Sequence, residues 1–413
     1  MTTVKTAVVV GGGIAGPMAA LALRKAGIAA TVYEAYPSVA DGVGGTLALA
    51  PNGLAALRVL GADDAVRAIA TPITRNVLAI GARRFDLPVV AGLPPLQVVH
   101  RGALHRELRD VAVAGGVPVE YGRRLVGVRE TAAGVTAVFA DGGTVTADVL
   151  VGADGIRSTV RGLIDPGAAG PRYTGLLGFE AVARHETGAA PGTMTFTFGK
   201  GGYYLYWPEP GGGTRWGVNL PQDRPMTLVE ARAVPASEWM DRLRAAYAAD
   251  TPGHDLMRTS DADDLQVTGS LLIMPPLRHW HRDRMVLVGD SAHAPSNSSG
   301  QGASLALESA IQLARCLRDL PDVPSAFAAY ERLRRPRVER IAARAARLNH
   351  AKAPGPVARR LMPLLMPLML KTVMNPEKTL APEQRHVIDW PAPVSDEDLK
   401  VGMNKTYGVA GNN

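Results

Sequence analysis

The residues best suited to chemistry lie in three glycine-marked segments, far apart in the chain. Gly11-Gly12-Gly13-Ile14-Ala15-Gly16 follows one apolar run, Gly152-Ala153-Asp154-Gly155 follows a second, and Gly289-Asp290-Ser291-Ala292-His293 follows a third. Each marks a place where a strand ends and a bare backbone or a short acid can meet a ligand. In the first segment Gly11 permits a tight turn, Gly13 lets the backbone approach a pyrophosphate, and Gly16 lets helix and strand pack closely. Past Ile14 and Ala15 a helix begins, and its free N–H groups and partial positive charge suit phosphates. Glu34, followed by Ala35, stands where the next strand ends and can accept hydrogen bonds from a ribose. This is the chemistry of a dinucleotide site.

The elements that must position these residues are readable around them. Residues 7–10, Ala-Val-Val-Val, form the short continuous apolar run of a parallel strand buried on both faces. Residues 17–25 read as a helix ended by Gly27, and residues 30–33 as a second strand closing on Glu34. Residues 148–151 and 285–288 read as further strands, and Ser158 is a candidate N-cap for the helix after the second glycine segment. Ser298-Ser299-Gly300-Gln301-Gly302 leads into a predicted helix over 303–317, apolar at Leu305, Leu307, Ala310, Ile311, Leu313 and Ala314. The glycine-rich start of that helix offers a second set of backbone N–H groups to a ligand.

Between 175 and 219 the pattern changes to strands, over 176–185, 193–199, 202–207 and 215–220, and 76–87 is expected to join them. Thr-Met-Thr-Phe-Thr-Phe at 193–198 alternates, so one face of that sheet is buried. The expected fold class is α/β. A Rossmann-like dinucleotide domain is expected from 1–75, 97–174 and 275–350, with an inserted β-sheet substrate domain from 76–96 and 175–274. Residues 351–413 are expected to supply a C-terminal helix and tail packed across both. Candidate substrate contacts are Phe198, Tyr206, Trp207, Trp216, Asn219 and Asn297, with Phe179 and Tyr204 as further aromatic candidates; ordinary sheet packing competes with this reading at each position. His293 reads as a support for its loop, and His279-Trp280-His281 has no metal-ligand spacing, so no metal is implied.

Composition limits the alternatives. A chain of 413 residues, 46% hydrophobic, has room for two domains and a sizeable core. The lone Cys316 cannot form an internal disulfide. Residues 1–10 lack a signal-peptide layout, and the apolar stretch 361–370 is interrupted by two prolines and is far shorter than the ~20 residues that span a bilayer. A soluble cytoplasmic protein without stable membrane insertion is expected; nothing in the sequence fixes its oligomeric state. The net charge is +7, and the densest basic run, Arg332 to Arg337 continuing to Arg340, Arg344 and Arg347, reads as the solvated face of a helix. Nucleic acid is not expected as a partner, because no stacking aromatics are interleaved there. A positive surface suits a phosphorylated cofactor.

GGGIAG with Glu34, GADGIRS, GDSAHAPSNSSGQGAS, and the arginine that opens the Arg101-Gly-Ala-Leu104-His-Arg-Glu-Leu108 segment together span most of the chain. With these motifs it resembles the single-component FAD-dependent monooxygenases typified by para-hydroxybenzoate hydroxylase. Gly44-Gly45-Thr46-Leu47 looks most similar to the tetracycline-modifying and antibiotic-tailoring members. The resemblance implies non-covalent FAD, with Glu34 on the adenosine ribose, Arg101 near the phosphates and Asp290 beside Gly289 on the ribityl chain. It places Gly302 and Ala303 at the flavin pyrimidine edge, adds Gly300, Gln301, Gly45 and Thr46 to the cofactor set, and assigns Asp154 and Arg157 to a motif serving FAD and NAD(P)H. Two departures stand near the flavin: Ser296 and Asn297 replace the usual prolines, with Pro295 one place earlier, and Ser304 replaces an asparagine.

The implied activity is hydroxylation of an aromatic or polycyclic small molecule, using NAD(P)H and O2 through a flavin hydroperoxide, in natural-product tailoring or antibiotic modification. No second GxGxxG turn is present, so NAD(P)H is expected as a transient co-substrate, with NADPH favoured. No residue stands out as a general base. Epoxidation and Baeyer–Villiger insertion use the same intermediate and stay open. So do an FAD-dependent reductase or dehydrogenase that does not use O2 and a non-catalytic FAD-binding regulator.

Overall fold

The apolar run becomes the strand Thr6–Val10, in the middle of a six-stranded sheet. The computed structural model describes residues 4–38, 44–131, 134–351, 366–367 and 375–394. The sheet runs His281–Arg282, Met285–Leu287, Val149–Gly152, Thr6–Val10, Ala29–Tyr33, Val119–Glu120. Neighbours pair in parallel except the outermost pair at the His281 end. The consequence is spatial. Thr6–Val10, Val149–Gly152 and Met285–Leu287 are adjacent strands, so the three glycine segments that follow them meet at one carboxyl edge. That edge is where open α/β sheets bind ligands.

The helix Ala15–Lys25 packs against the helix Gly302–Asp319. Met18, Leu23, Val9, Leu150, Leu287, Ile311 and Leu313 share one core, none more than 1% exposed. A meander of Leu125–Thr131, Gly134–Phe139 and Thr144–Ala147 joins it through Phe139, whose ring meets Tyr33 at 5.0 Å.

The second sheet has seven strands, in the order Gln266–Ile273, Arg172–Ala183, Thr214–Pro221, Tyr203–Pro208, Thr193–Phe198, Arg75–Ile80, Arg83–Leu87. Its alternation sorts the side chains. Leu177, Phe179, Ala181, Tyr204, Tyr206, Trp216 and Val218 pack with Trp239, Met240, Leu243, Tyr247, Leu256 and Met257. The latter group comes from Ala236–Ala246, Gly253–Thr259 and Tyr247 beside them, so the insertion closes one sheet face with its own helices. The opposite face carries Met194, Phe196, Leu205 and Trp207 in another cluster, with Phe196 and Phe198 also meeting Leu78 and Ile80. A small sheet of Thr46–Leu49, Leu96–His100 and Thr71–Ile73 lies in the segments that connect the two large sheets.

The basic run meets the expectation of a solvated face at Arg332, Arg340 and Arg347, which are exposed, and departs from it at its centre. It lies on Val323–Ala351, which packs along Gly302–Asp319. Arg334 is 1% exposed and Arg337 8%, and both bind Glu308. Arg335 donates to the Leu277 carbonyl and lies over the Trp280 ring. The physical reason is Glu308 itself, a carboxylate in the core that must be paired. Among the described residues no helix is long and apolar enough to cross a membrane. The apolar stretch 361–370 falls outside the described residues apart from Met366 and Pro367, and Met366 packs with Leu78 and Ile80.

Candidate active site

The glycine turn is sterically obligatory. Gly11 has φ 107°, and a Cβ there would sit 2.5 Å from the Ala153 carbonyl oxygen. A Cβ on Gly16 would overlap the Gly11 carbonyl. The turn is therefore wedged between its own helix and the neighbouring strand end. Ile14 caps the helix without a side-chain bond, and no acid lies in its first turn, which leaves its N-terminus electropositive. Glu34 accepts hydrogen bonds from the Gly12 N–H at 2.6 Å and the Tyr36 N–H at 2.9 Å. The acid is thus fixed beside the turn, with Ala35 following it at the strand end.

Arg101 begins the helix Arg101–Ala114, exposed at its tip, with its stem against Gly44. Its N–H donates to the Gly45 carbonyl at 3.1 Å. Burial raises the Asp290 carboxyl above the usual carboxylate range, and Arg101 offsets only part of that rise. Burial pushes His105 down to about 4, and Arg101 pushes it the same way. Arg101 therefore lies within electrostatic reach of both groups. Through His105, which approaches Gly13, and through Asp290, Arg101 is tied to the same sheet edge as the glycine turn.

Asp154 and Arg157 sit differently from one another. Asp154 accepts from the Ser158 hydroxyl at 2.5 Å and from the Thr159 and Val160 N–H groups at 2.7 and 3.1 Å. Ser158 in turn caps Thr159–Ile164 by accepting from the Arg161 N–H at 2.9 Å. Both oxygens of Asp154 are thus engaged in starting a helix. Arg157 is exposed. Arg161, not foreseen from the sequence, is buried and donates to the Ser291 and Ile156 carbonyls, tying the second glycine segment to the third.

The third segment rests on a buried polar network. Gly289 has φ 69° and Gly300 φ 60°, and Asn297 opens a short 3-10 turn with its side chain exposed. Gln301 and Gly302 begin the long helix, again with no side-chain cap and no acid in the first turn, and Ala303 follows half-buried. Gln301 accepts from the Asn52 amide at 2.8 Å, and the same amide donates to Glu308 at 2.7 Å. Glu308 accepts from Arg334 at 2.6 Å and from Nε and Nη2 on one edge of the Arg337 guanidinium, both at 2.8 Å. Arg334 also reaches the Ser309 hydroxyl, which meets His293 Nε2 at 2.9 Å. His293 is buried against Trp280, and burial pushes its pKa down to about 3. It holds the loop. Ser304 turns inward and accepts the Ala50 N–H at 3.1 Å.

Gly45 and Thr46 bridge to the seven-stranded sheet. Glu180, 5% exposed, accepts the Thr46 N–H at 2.7 Å and hydroxyl at 2.5 Å, and pairs with Arg215 at 3.0 Å. Arg215 is also bound to Glu209. A Cβ on Gly45 would lie 2.5 Å from the Thr268 methyl, and one on Gly178 would overlap the Thr268 hydroxyl and lie 3.3 Å from Asn219 Oδ1. Asn219, Thr268 and Glu180 therefore share the sheet face that meets the cofactor half. By alternation Phe198, Tyr203, Leu205 and Trp207 are on that face too. Tyr206 and Trp216 are not. They lie in the helix-covered core, where Trp216 donates to Ser260 at 2.7 Å, as do Phe179 and Tyr204. Of the six candidate substrate residues, Phe198 and Asn219 are half-buried on the facing side, Trp207 is on that side but buried against Ile73 and Val98, Tyr206 and Trp216 are in the helix-covered core, and Asn297 lies on the loop before Gln301. Sequence reading missed Tyr203, Glu180, Arg215 and Thr268; the signal available was Glu180, a lone acid in the apolar strand Leu-Gly-Phe-Glu-Ala-Val.

A mainly parallel sheet with glycine turns at its carboxyl edge, two uncapped helix starts and a facing mixed sheet form the architecture that dinucleotide-binding proteins use. The chain belongs to the FAD binding domain family, whose profile matches residues 3–345. It is 31% identical over 340 residues to the aurachin C monooxygenase/isomerase of Stigmatella aurantiaca, covering 77% of this chain and 82% of that protein. It is 32% identical over 342 residues to the 3-amino-4-hydroxybenzoate 2-monooxygenase of Streptomyces cremeus, covering 76% and 78%. A variant of HpxO from Klebsiella pneumoniae, solved with FAD, superposes with a TM-score of 0.72 at 27% identity over 83% of this chain and 88% of that one. The protein is an FAD-dependent monooxygenase.

Proposed function

We propose that this enzyme hydroxylates an aromatic or polycyclic small molecule held between the cofactor groove and the open face of the seven-stranded sheet. FAD, when bound, supplies the redox chemistry that activates O2 with electrons from NAD(P)H. The residues present fit it. The turn at Gly11, Gly13 and Gly16, with Ile14 and Ala15, would hold its phosphates together with Arg101. Glu34 and Ala35 would hold the adenosine ribose, and Asp290 beside Gly289 the ribityl hydroxyls. The helix start at Gly300, Gln301, Gly302 and Ala303 would place N–H groups where negative charge collects on the reduced ring. Gly45 and Thr46 would lie between cofactor and substrate, and Arg157, exposed at the same edge, would meet the transient NADPH.

One observation carries the substrate reading. The sheet face joined to Thr46 through Glu180 combines the half-buried Phe198 and Leu205 with the polar Asn219 and Thr268, while Trp207 on the same face is buried beneath Ile73 and Val98 and backs the wall. An apolar wall with few polar groups suits a flat ring bearing one or two hydrogen-bonding substituents. The wall orients the ring and excludes water while the oxygen atom is transferred. The aromatic substrate in the name of the Streptomyces cremeus relative supports the same class. The test is NADPH and NADH oxidation by the FAD-loaded enzyme in air, against a panel of phenols, hydroxylated benzoates and aromatic polyketides, with product masses under 18O2. A compound that accelerates oxidation and gains one labelled oxygen establishes the reading. Conversion that proceeds equally well without O2 replaces it with a reductase or dehydrogenase.

A further inference from the structure

The helix that begins at Arg101 carries a histidine one turn later. Leu104 and Leu108 of the same helix are fully buried and fix its rotation against the core. That setting turns His105 toward the glycine turn, with its Cε1 3.9 Å from where a Cβ on Gly13 would be. His105 Nε2 is shielded from solvent and has no hydrogen-bond partner among the described residues. Buried polar atoms are almost always paired, and one that is not needs an explanation. Among the described residues no neighbouring group supplies one. The ring is neutral, because burial, with Arg101 adding to it, pushes its pKa down to about 4. Its position between Gly13 and Arg101 places it in the groove read above as the FAD site.

We propose that His105 is a cofactor ligand, its Nε2 donating a hydrogen bond to a phosphate oxygen of FAD at the Gly11–Gly16 turn. The donor set would then be backbone N–H groups of the turn, the Arg101 cation and one neutral imidazole. The neutral tautomer carrying its proton on Nε2 fits this role, since it donates without bringing a second full charge beside Arg101. The proposal rests on the FAD reading of this groove. It also explains why an orphaned nitrogen persists: the partner arrives with the cofactor.

A purely structural histidine and a cofactor ligand predict opposite patterns. Removing an unpaired buried nitrogen should leave the apoprotein as stable as before or more so. Removing a ligand should weaken the holoprotein. The experiment is titration of the apoprotein with FAD, followed by quenching of flavin fluorescence, for the wild type, His105→Gln and His105→Phe. Melting temperatures of apo and FAD-saturated forms are measured alongside. We expect His105→Phe to weaken FAD binding about tenfold, roughly 1.4 kcal/mol, and His105→Gln, which keeps a donor, to stay within about threefold of wild type. We expect ADP, which carries the same phosphates, to lose affinity in parallel. The His105→Phe melting temperature should fall only in the holo form. Unchanged FAD affinity in His105→Phe, or equal destabilisation of apo and holo forms, overturns the proposal while the FAD reading stands. Failure of the wild type to bind FAD overturns both.

Discussion

Glu308→Gln should be among the most damaging single substitutions in this enzyme outside the glycine turn. Glu308 is 1% exposed and lies between Arg334 and Arg337, themselves 1% and 8% exposed. It takes charge-assisted bonds at 2.6, 2.8 and 2.8 Å from the two guanidinium groups and another from Asn52 at 2.7 Å. Burial works against its charge, but the two arginines outweigh it and hold the carboxyl below its ordinary 4.5. Glutamine fills the same space but leaves two cations in the core facing a neutral amide. Breaking a buried pair in this way costs about 3–5 kcal/mol. At about 2.1 cal/mol/K of unfolding entropy per residue, 413 residues give roughly 0.9 kcal/mol/K, so the melting midpoint should drop by about 3–6 °C. The same network reaches Gln301 through Asn52, so FAD affinity should fall with it. The assay is urea unfolding of apo and holo forms with FAD titration. The sign with pH is fixed: the Glu308 contribution is whole above pH 4.5 and is lost as pH falls below it, a component the variant should lack. A loss under about 1 kcal/mol would refute the view that this ion cluster is a paired core element.

Four other outcomes are expected. Gly16→Ala, whose Cβ overlaps the Gly11 carbonyl, should lower FAD affinity at least about tenfold, whereas Gly27→Ala, with open space around it, should cost only about 1 kcal/mol and leave FAD titration unchanged. Acid should destabilise the protein from pH 6.5 downward. His105 and His386 are pushed down to about 4 and His293 to about 3 by burial, so the unfolded chain takes up protons that the folded one refuses. Each histidine then costs up to about 1.4 kcal/mol per pH unit until its folded pKa is reached, and a urea midpoint that stays flat between pH 6.5 and 4.5 would contradict it. Asp154→Ala should cost about 1–2 kcal/mol through lost capping, in apo and holo forms alike, with FAD affinity little changed; a tenfold weaker Kd would instead mark Asp154 as a cofactor contact. Glu180→Ala should free Thr46 and leave Arg215 paired with Glu209 alone, raising KM and the peroxide released per NADPH consumed, while FAD binding stays within a few-fold of wild type.

What the sequence disclosed follows from what is local. The turn from Gly11 to Gly16 and the strand closing on Glu34 carry their meaning within one strand-helix-strand unit, so they were readable before any fold was known. The three glycine segments could be joined because each follows an apolar run of the kind a buried parallel strand requires. Sheet faces were harder. Tyr206 and Trp207 are neighbours in one strand, and only the period of two sends Tyr206 into the helix-packed core and Trp207 to the opposite face, where it packs with Ile73 and Val98. The sequence shows that alternation without showing which side the helices cover. Arg334 and Arg337 were illegible for a different reason: their partner Glu308 lies on another helix, and an arginine-rich run looks solvated until that acid is found beneath it.

The two buried carboxylates divide the work of assembling the site. Glu308 acts within the cofactor half, where Asn52 and Gln301 link it to the turn that starts the long helix. Glu180 acts between halves, because it belongs to the seven-stranded sheet but takes both hydrogens that Thr46 offers. Neither acid is placed to touch a reacting atom through these bonds. Each instead converts a glycine-containing loop, which has little side-chain surface of its own to hold it, into a fixed position. A loop at a cofactor edge needs glycine so that ligand and backbone can approach, and the glycine leaves it weakly anchored. Anchoring it from below by a charged group in the core supplies rigidity without filling the groove. This is why the polar residues with the least exposure stand behind the glycine segments, and why substitutions well away from the substrate should alter coupling and cofactor affinity as much as those lining the open face.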